Sequence, residues 1–282
     1  MVSNVNPGSR RGLEVASRIP HRPTHYDPGM PDLSIVIPAR DEETELPGTL
    51  ASIAQAVAAC DIASHEVIVV DDGSTDATAP IARDAGARVV SVRLHNIGAV
   101  RNAGAAVATG EMLIFLDADT RLPADVLRAA LGAIASGAVG GGAGLTWDRR
   151  PPLMAAVSAV LFVFAWQRIG RWATGCFLFC RREAFEAVGG FNSEWFAAEE
   201  RAMSIALREH GRREGMRWVI LREKVVSSAR KLRLFSTWEL IGLFLRTIVS
   251  PRGLLFGGDN LKSRDGLSYF YDAPREASET SA

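Results

Sequence analysis

Cysteine is scarce: Cys60, Cys176 and Cys180 are the only three in 282 residues. An odd, scattered set makes no disulfide framework, and the Cys176/Cys180 spacing lacks a second pair with which to hold a metal. A reducing cytoplasm is the simplest setting. The five histidines (His21, His25, His65, His95 and His210) show no paired ligand spacing either, and His95 reads as structural. Neither sign of charge is in excess, with 32 Lys and Arg against 32 Asp and Glu. That excludes the basic stripe of a nucleic-acid binder, so no nucleic-acid partner is expected. No GxGxxG follows a strand and no GxxxxGK[ST] occurs, so dinucleotide and P-loop chemistry lack their usual signatures. No secretory signal opens the chain, and residues 1–31, rich in Arg, Pro, Asn, Ser and His, read as a disordered leader. Apolar runs of membrane length are missing too. Residues 153–166 (LMAAVSAVLFVFAW) carry no charge over fourteen positions, whereas a spanning helix needs about 20. A buried or interfacial helix is expected there. Trp166, Arg168, Arg171 and Trp172 at its end suit a membrane surface and equally an acceptor groove.

What is present is an alternation of short apolar runs with helical patterns. Residues 33–37 (LSIVI), 66–70 (EVIVV), 88–92 (RVVSV) and 112–116 (MLIFL) read as strands. Pro38 is expected to stop the first. Residues 46–60 read as a helix, with Leu46, Leu50, Ile53, Ala54 and Val57 at helical spacing. Ser74 or Thr75 is expected to cap the helix through Ile81, which Gly86 closes. A helix-like stretch from Asn96 to Ala108 and a helix over 123–135 complete four strand–helix alternations. That pattern means a parallel sheet with right-handed crossovers. Polar clusters follow Ile37, Val70 and Leu116, each at a strand's carboxyl end, and together they outline one crevice. In extended chain Asp117 and Asp119 point the same way, toward one cation or one phosphate-bound metal. Turn chemistry alone is the plain alternative for the aspartates.

Residues 34–42 (SIVIPARDE), 71–76 (DDGSTD) and 115–120 (FLDADT) resemble the family 2 glycosyltransferases of the GT-A fold. The resemblance implies an α/β domain with a mostly parallel central sheet flanked by helices. It implies that Pro38, Ala39 and Glu42, with Arg40 between them, line a nucleoside pocket, and that Asp72, beside Asp71, reads the base. Asp117, with Ala118, would approach the ribose and phosphates, and Asp119 would hold a Mn²⁺ or Mg²⁺ ion bridging the diphosphate. Arg101 and Asn102 match the family's Arg-Asn on the donor side. The first motif departs from the family in one place, with Asp41 where Asn is usual. UDP is the favoured nucleotide. The physical logic agrees, because a departing nucleoside diphosphate concentrates negative charge that a carboxylate-held metal neutralises.

Residues 136–144 hold five glycines and read as a flexible connection or irregular strand, with 142–147 returning to the sheet. Residues 172–180 (WATGCFLFC) read as a strand entered through Gly175, and 181–191 as a short helix ending in glycines. This also resembles the family, in which such a Gly-Gly-Phe precedes a catalytic acid pair. Here the pair is Glu199-Glu200. The match places Glu200 on the position of the general base of inverting members, with Glu199 as the reserve. A base is needed because a hydroxyl attacks poorly until its proton is taken. The plain alternative is that both are first-turn helix acids. Residues 219–226 are expected to add a strand, followed by Arg230, which would meet the diphosphate. Residues 238–249 (WELIGLFLRTIV) read as an apolar helix, and 273–282 as a disordered tail. Residues 32–230 thus form the glycosyltransferase domain, with a donor half about 32–122, an acceptor half about 140–230 and an apolar helical extension over 231–272. The apolar segments hint at a lipid-linked or hydrophobic acceptor and peripheral contact with the inner face of a membrane. Glu214 to Trp218 (EGMRW) departs from the QxxRW of processive synthases and follows the acid pair too closely, which favours a single-transfer enzyme. The rivals are a sugar-phosphate nucleotidyltransferase and a non-catalytic nucleotide-sugar binding module.

Overall fold

The computed structural model describes residues 32–230 apart from 61, 63, 150–159, 161–162, 165, 168–169 and 195–198. The expected leader, C-terminal extension and tail, and most of 153–166, lie outside the described residues. The elements in order are β1 (Leu33–Ala39), α1 (Leu46–Ala59), β2 (His65–Asp71), α2 (Thr78–Asp84), β3 (Arg88–Ser91), α3 (Ile97–Val107), β4 (Met112–Leu116), β5 (Thr120–Arg121), α4 (Ala124–Ala135), β6 (Ala138–Trp147), β7 (Phe177–Arg181), α5 (Arg182–Ala187), α6 (Glu199–Arg213) and β8 (Arg217–Ser227). The strands form one sheet in the order β3-β2-β1-β4-β7-β6-β8-β5. β3, β2, β1 and β4 are mutually parallel, β7 runs against both of its neighbours, and β6 and β8 are parallel again.

β1 and β4 are apolar at nearly every position because the sheet is covered on both faces, and both strands are buried along their whole length. Side chains alternate between the two faces. Leu33, Ile35, Ile37, Met112, Ile114 and Leu116 pack with Leu46, Leu50 and Ile53 of α1 and Val126 and Leu127 of α4. Val36, Ile68, Val70, Leu113 and Phe115 pack on the other face with Val100 of α3, Phe185 of α5 and Met203 and Leu207 of α6. α3 lies close on β1 and β2 because Gly104 has no side chain. A Cβ there would overlap Val36 Cγ1 and sit 2.8 Å from Val70 Cγ2.

Several local expectations change. Pro38 does not stop β1. It pairs in register with Val70, and the strand runs on to Ala39, opposite Asp71. Ser74 does not cap α2, whose N-cap position is Ala77, with no side-chain cap. The Ser74 hydroxyl instead accepts the Asp41 N–H at 2.9 Å, joining the first two loops. Of the two readings of the glycine-rich stretch the irregular strand holds, as β6, with register shifts between Ala138 and Gly140 and between Gly142 and Gly144. The strand expected from Trp172 starts only at Phe177, because the chain turns through Thr174 to Cys176. The two-residue β5 pairs with β8, a pairing too short for any sequence pattern.

Candidate active site

β1, β2 and β4 end side by side, so their following loops share one edge of the sheet. Asp117 to Asp119 form a turn, not an extension of β4, with the Thr120 N–H donating to the Asp117 carbonyl at 3.1 Å. The two aspartates therefore have different partners.

Asp117 meets Arg101, which α3 projects from the opposite side of the loop. Arg101 Nη2 donates to Asp117 Oδ1 at 2.9 Å and to the Gly175 carbonyl at 2.7 Å, and its Nη1 donates to Glu199 Oε1 at 2.7 Å. Arg101 is 3% exposed and stands 5.4 Å from the centroid of the Phe191 ring. Burial opposes its charge, but Asp117, Glu199 and Glu200 more than offset this, and its pKa is raised. One guanidinium thus ties the strand-end aspartate to the acid pair, whose Glu199 lies 98 residues beyond Arg101 in the chain. Glu199 is buried at the start of α6. Glu200 is half-buried and lies over Gly175: a Cβ on that glycine would stand 3.7 Å from Glu200 Cδ. Burial and then the Glu199 charge push the Glu200 pKa well above the ordinary 4.5, while Arg101 pulls it back.

Asp119 is 4% exposed, accepts from the Thr120 hydroxyl at 3.3 Å, and takes the Ser228 N–H on its backbone carbonyl. Arg230 follows two residues later. Its Nη2 donates to both oxygens of Glu42, at 3.0 and 2.8 Å. Burial works against the Arg230 charge, and Glu42, Asp119 and Glu45 together raise its pKa. Glu45, which the sequence reading missed, accepts the Ser228 hydroxyl at 3.2 Å. Burial first, then the Asp117 charge and more weakly that of Asp119, push the Cys176 thiol up to about 12.

A third group surrounds Asp72. Its carboxylate accepts the backbone N–H of Leu94 at 2.6 Å and of His95 at 2.9 Å. Arg40 Nη1 lies 2.9 Å from His95 Nδ1. Asp41 and His95 both have φ of 50°, a left-handed conformation for which Asp, Asn and His are the favoured non-glycine residues. The Asp41 carboxylate accepts the Thr75 N–H at 2.7 Å, a role that Asn would fill equally. Asp71 accepts the Ser74 N–H at 3.1 Å, and the Ala39 and Ala118 carbonyls accept from Asp72 N–H and the Thr49 hydroxyl. Asn102 does not join these groups. Both of its amide atoms pair with the Phe191 backbone, at 2.8 and 2.9 Å.

Residues 34–189 match the sequence profile of Glycosyl transferase family 2. The chain belongs to that family. A 97-residue stretch is 40% identical to a 4,4'-diaponeurosporenoate glycosyltransferase of Staphylococcus haemolyticus, covering 32% of this chain and 24% of the relative. A 100-residue stretch is 42% identical to an undecaprenyl-phosphate 4-deoxy-4-formamido-L-arabinose transferase of Aeromonas hydrophila, covering 32% of this chain and 30% of the relative. Less than a third of either relative is therefore spanned. In fold the glycosyltransferase is similar to the mannosyltransferase PcManGT of Pyrobaculum calidifontis in complex with GDP-Man and Mn²⁺, with a TM-score of 0.56 and 20% identity over 78% of this chain and 66% of that one. It is equally similar to S. aureus TarS 1-349 in complex with UDP-GlcNAc, with a TM-score of 0.56 and 19% identity over 76% and 65%. The sheet is thus of the GT-A type.

Among the described residues of this glycosyltransferase, no three His, Cys, Asp or Glu side chains gather as a metal cage. The donor chemistry at the β4 turn is nevertheless hard carboxylate oxygen, with Asp117 committed to Arg101. A Mg²⁺ or Mn²⁺ ion that completes its shell on substrate phosphates needs only one or two carboxylates, so Asp119 fits such an ion. No described helix is long and apolar enough to cross a membrane.

Proposed function

We propose that this glycosyltransferase moves a sugar from a nucleotide-sugar, with UDP favoured, to an acceptor hydroxyl by a single displacement that inverts the anomeric centre. The observation that carries the reading is Arg101, which binds Asp117 of the donor motif and Glu199 of the acid pair at once. One side chain thus joins the donor motif to the acid pair, which supports a shared site for donor diphosphate and acceptor base. Glu199 is committed to Arg101 at 2.7 Å, which leaves Glu200 as the base. Glu200 takes the acceptor proton as the hydroxyl attacks the anomeric carbon, and the bond to the diphosphate breaks on the opposite face. Asp119 would hold the divalent ion, which neutralises charge on the leaving diphosphate. Arg230 is poised to turn from Glu42 to that same charge. Pro38, Ala39, Arg40, Glu42, Asp71 and Asp72 wall the nucleoside side. The relatives' names support a lipid-linked or hydrophobic acceptor, and with it peripheral membrane contact.

The test is turnover of UDP-, GDP- and dTDP-sugars with and without Mn²⁺. The expected result is metal-dependent transfer or hydrolysis that disappears in Asp119→Ala and Glu200→Gln, with proton NMR showing the inverted anomer. Retention of configuration, or full activity in Glu200→Gln, would rule the mechanism out. A binding module would bind nucleotide and turn over nothing in any form.

A further inference from the structure

Two arginines of this chain are nearly excluded from solvent beside the acid pair, and they are treated differently. Arg101 faces two carboxylates. Arg201, one residue beyond Glu200, is 6% exposed and makes no ion pair among the described residues; its Nε has no hydrogen-bond partner. Its guanidinium carbon lies 4.6 Å from the centroid of the Trp172 ring. The Trp172 indole nitrogen is buried and without a partner as well. Burial pushes the Arg201 pKa down. The Arg40 and Arg101 Nε atoms also lack a partner, but Arg101 keeps two carboxylates and Arg40 lies 3.9 Å from Asp41, while Arg181 donates to the Ala138 and Ile134 carbonyls and Arg182 to those of Ala108 and Thr109. A desolvated guanidinium with no counter-charge is costly, and a stacked aromatic offsets only part of that cost. It is well matched to an anion supplied from outside, because a planar guanidinium binds phosphate or carboxylate through parallel N–H donors.

The location names the ligand. Trp172 sits three residues before Gly175, over which the Glu200 carboxyl lies. It is fixed by an edge-on contact with Trp166, at 4.8 Å between centroids. Nearby in the chain, Val160 and Phe164 present exposed apolar side chains. We propose that Arg201 and Trp172 form an acceptor subsite that binds an anionic group, phosphate or carboxylate, on an otherwise apolar acceptor. Both orphaned donors, the Arg201 Nε–H and the Trp172 indole N–H, then acquire an acceptor. This rests on the reading of Glu200 as the acceptor-side base and adds the acceptor's chemical class to it.

The experiment titrates the full-length protein, loaded with UDP and Mn²⁺, with farnesyl phosphate, farnesoate and uncharged farnesol by calorimetry. Wild type is expected to bind one or both anions at least tenfold more tightly than farnesol, and the tighter of the two identifies the group. Arg201→Gln is expected to remove that preference, and Arg201→Lys, which keeps the charge without the fork, to remove part of it. Stabilisation of the protein by UDP and Mn²⁺ alone should stay as in wild type. If Arg201→Gln loses the nucleotide response, Trp172→Phe decides, since it keeps an aromatic ring and removes the N–H; a loss of roughly fivefold in anion affinity supports the subsite. The proposal is overturned if wild type prefers no anion over farnesol, or if the folded variants bind the anions as wild type does. A wild-type protein that ignores every nucleotide would defeat the donor reading, a separate outcome.

Discussion

At the scale of single residues, Arg101 binds one of two adjacent glutamates and, in the proposed mechanism, leaves the other for chemistry. Its hydrogen bond to Glu199 fixes that carboxylate inside the protein, while Glu200, one position on, makes no ion pair among the described residues. Breaking a buried pair leaves an uncompensated charge and costs about 3–5 kcal/mol. Arg101→Met is therefore expected to melt well below wild type in calorimetry. In whatever fraction folds, the Glu200 pKa should move further up, because the charge that lowers it is gone. Glu200→Gln differs: it should lower kcat by about 10²–10⁴-fold while the protein binds nucleotide as before. The sequence alone supplied both halves of this arrangement, the Asp117 and Asp119 motif and the acid pair. It also named Arg101, though only as a donor-side residue and not as the bridge between them. That bridge was illegible because it depends on the turn at Thr174 to Cys176, which hands the Gly175 carbonyl to Arg101, and no periodicity encodes such a turn. Arg201 was invisible for a related reason. Its oddity is an absent partner, and absences appear only in three dimensions.

At the scale of elements, the close approach of α3 to the sheet delivers Arg101. Gly104 permits it, three residues along the same helix and so on the same face. Gly104→Ala is expected to destabilise the fold by about 1–3 kcal/mol through overpacking against Val36 and Val70. It should also lower activity beyond what the lost stability explains, as measured by kcat at a temperature where the variant is fully folded. The control is Gly132→Ala on the exposed side of α4, where a Cβ would meet nothing within 4 Å. That change should be neutral or stabilising, since alanine is the better helix former. Strand and helix types were largely readable because the two covered faces leave continuous apolar runs in β1 and β4. Their ends were not. Pro38 reads as a stop, yet its missing N–H is tolerated in the register with Val70. The β6 glycines left a flexible connection and an irregular strand both open, because close packing on Phe179 and Val219 excludes the side chains that would have marked a strand.

At the scale of the whole molecule, titratable groups at opposite ends of the sheet respond to acid in different ranges. Glu66 stands at the edge away from the site and accepts from the Ser34 hydroxyl at 2.7 Å and from the Thr109 N–H and hydroxyl at 2.6 and 2.7 Å. Burial opposes its charge, but these hydrogen bonds and Arg88 hold its pKa below the ordinary 4.5. A carboxyl depressed in the folded state stabilises above its unfolded pKa, and the contribution is lost as pH falls through the folded value. Glu200 is displaced the other way. Its protonated form is favoured in the folded state, so that contribution to stability is complete below about 4.5 and is lost as pH rises through the raised pKa. The proposed base is thus competent only on the side where it weakens the fold. On acidification, kcat should fall first, through the raised pKa of Glu200, while Tm holds steady or rises. Only below the ordinary carboxyl range should Tm drop as Glu66 is protonated. Parallel pH profiles of kcat and Tm read both limbs. Glu66→Gln should flatten the acid limb of Tm without moving the kcat profile, and Glu200→Gln should raise Tm at neutral pH. If kcat and Tm instead fall together in wild type, acid unfolding alone accounts for the lost activity, and Glu200 is not the group that titrates in turnover.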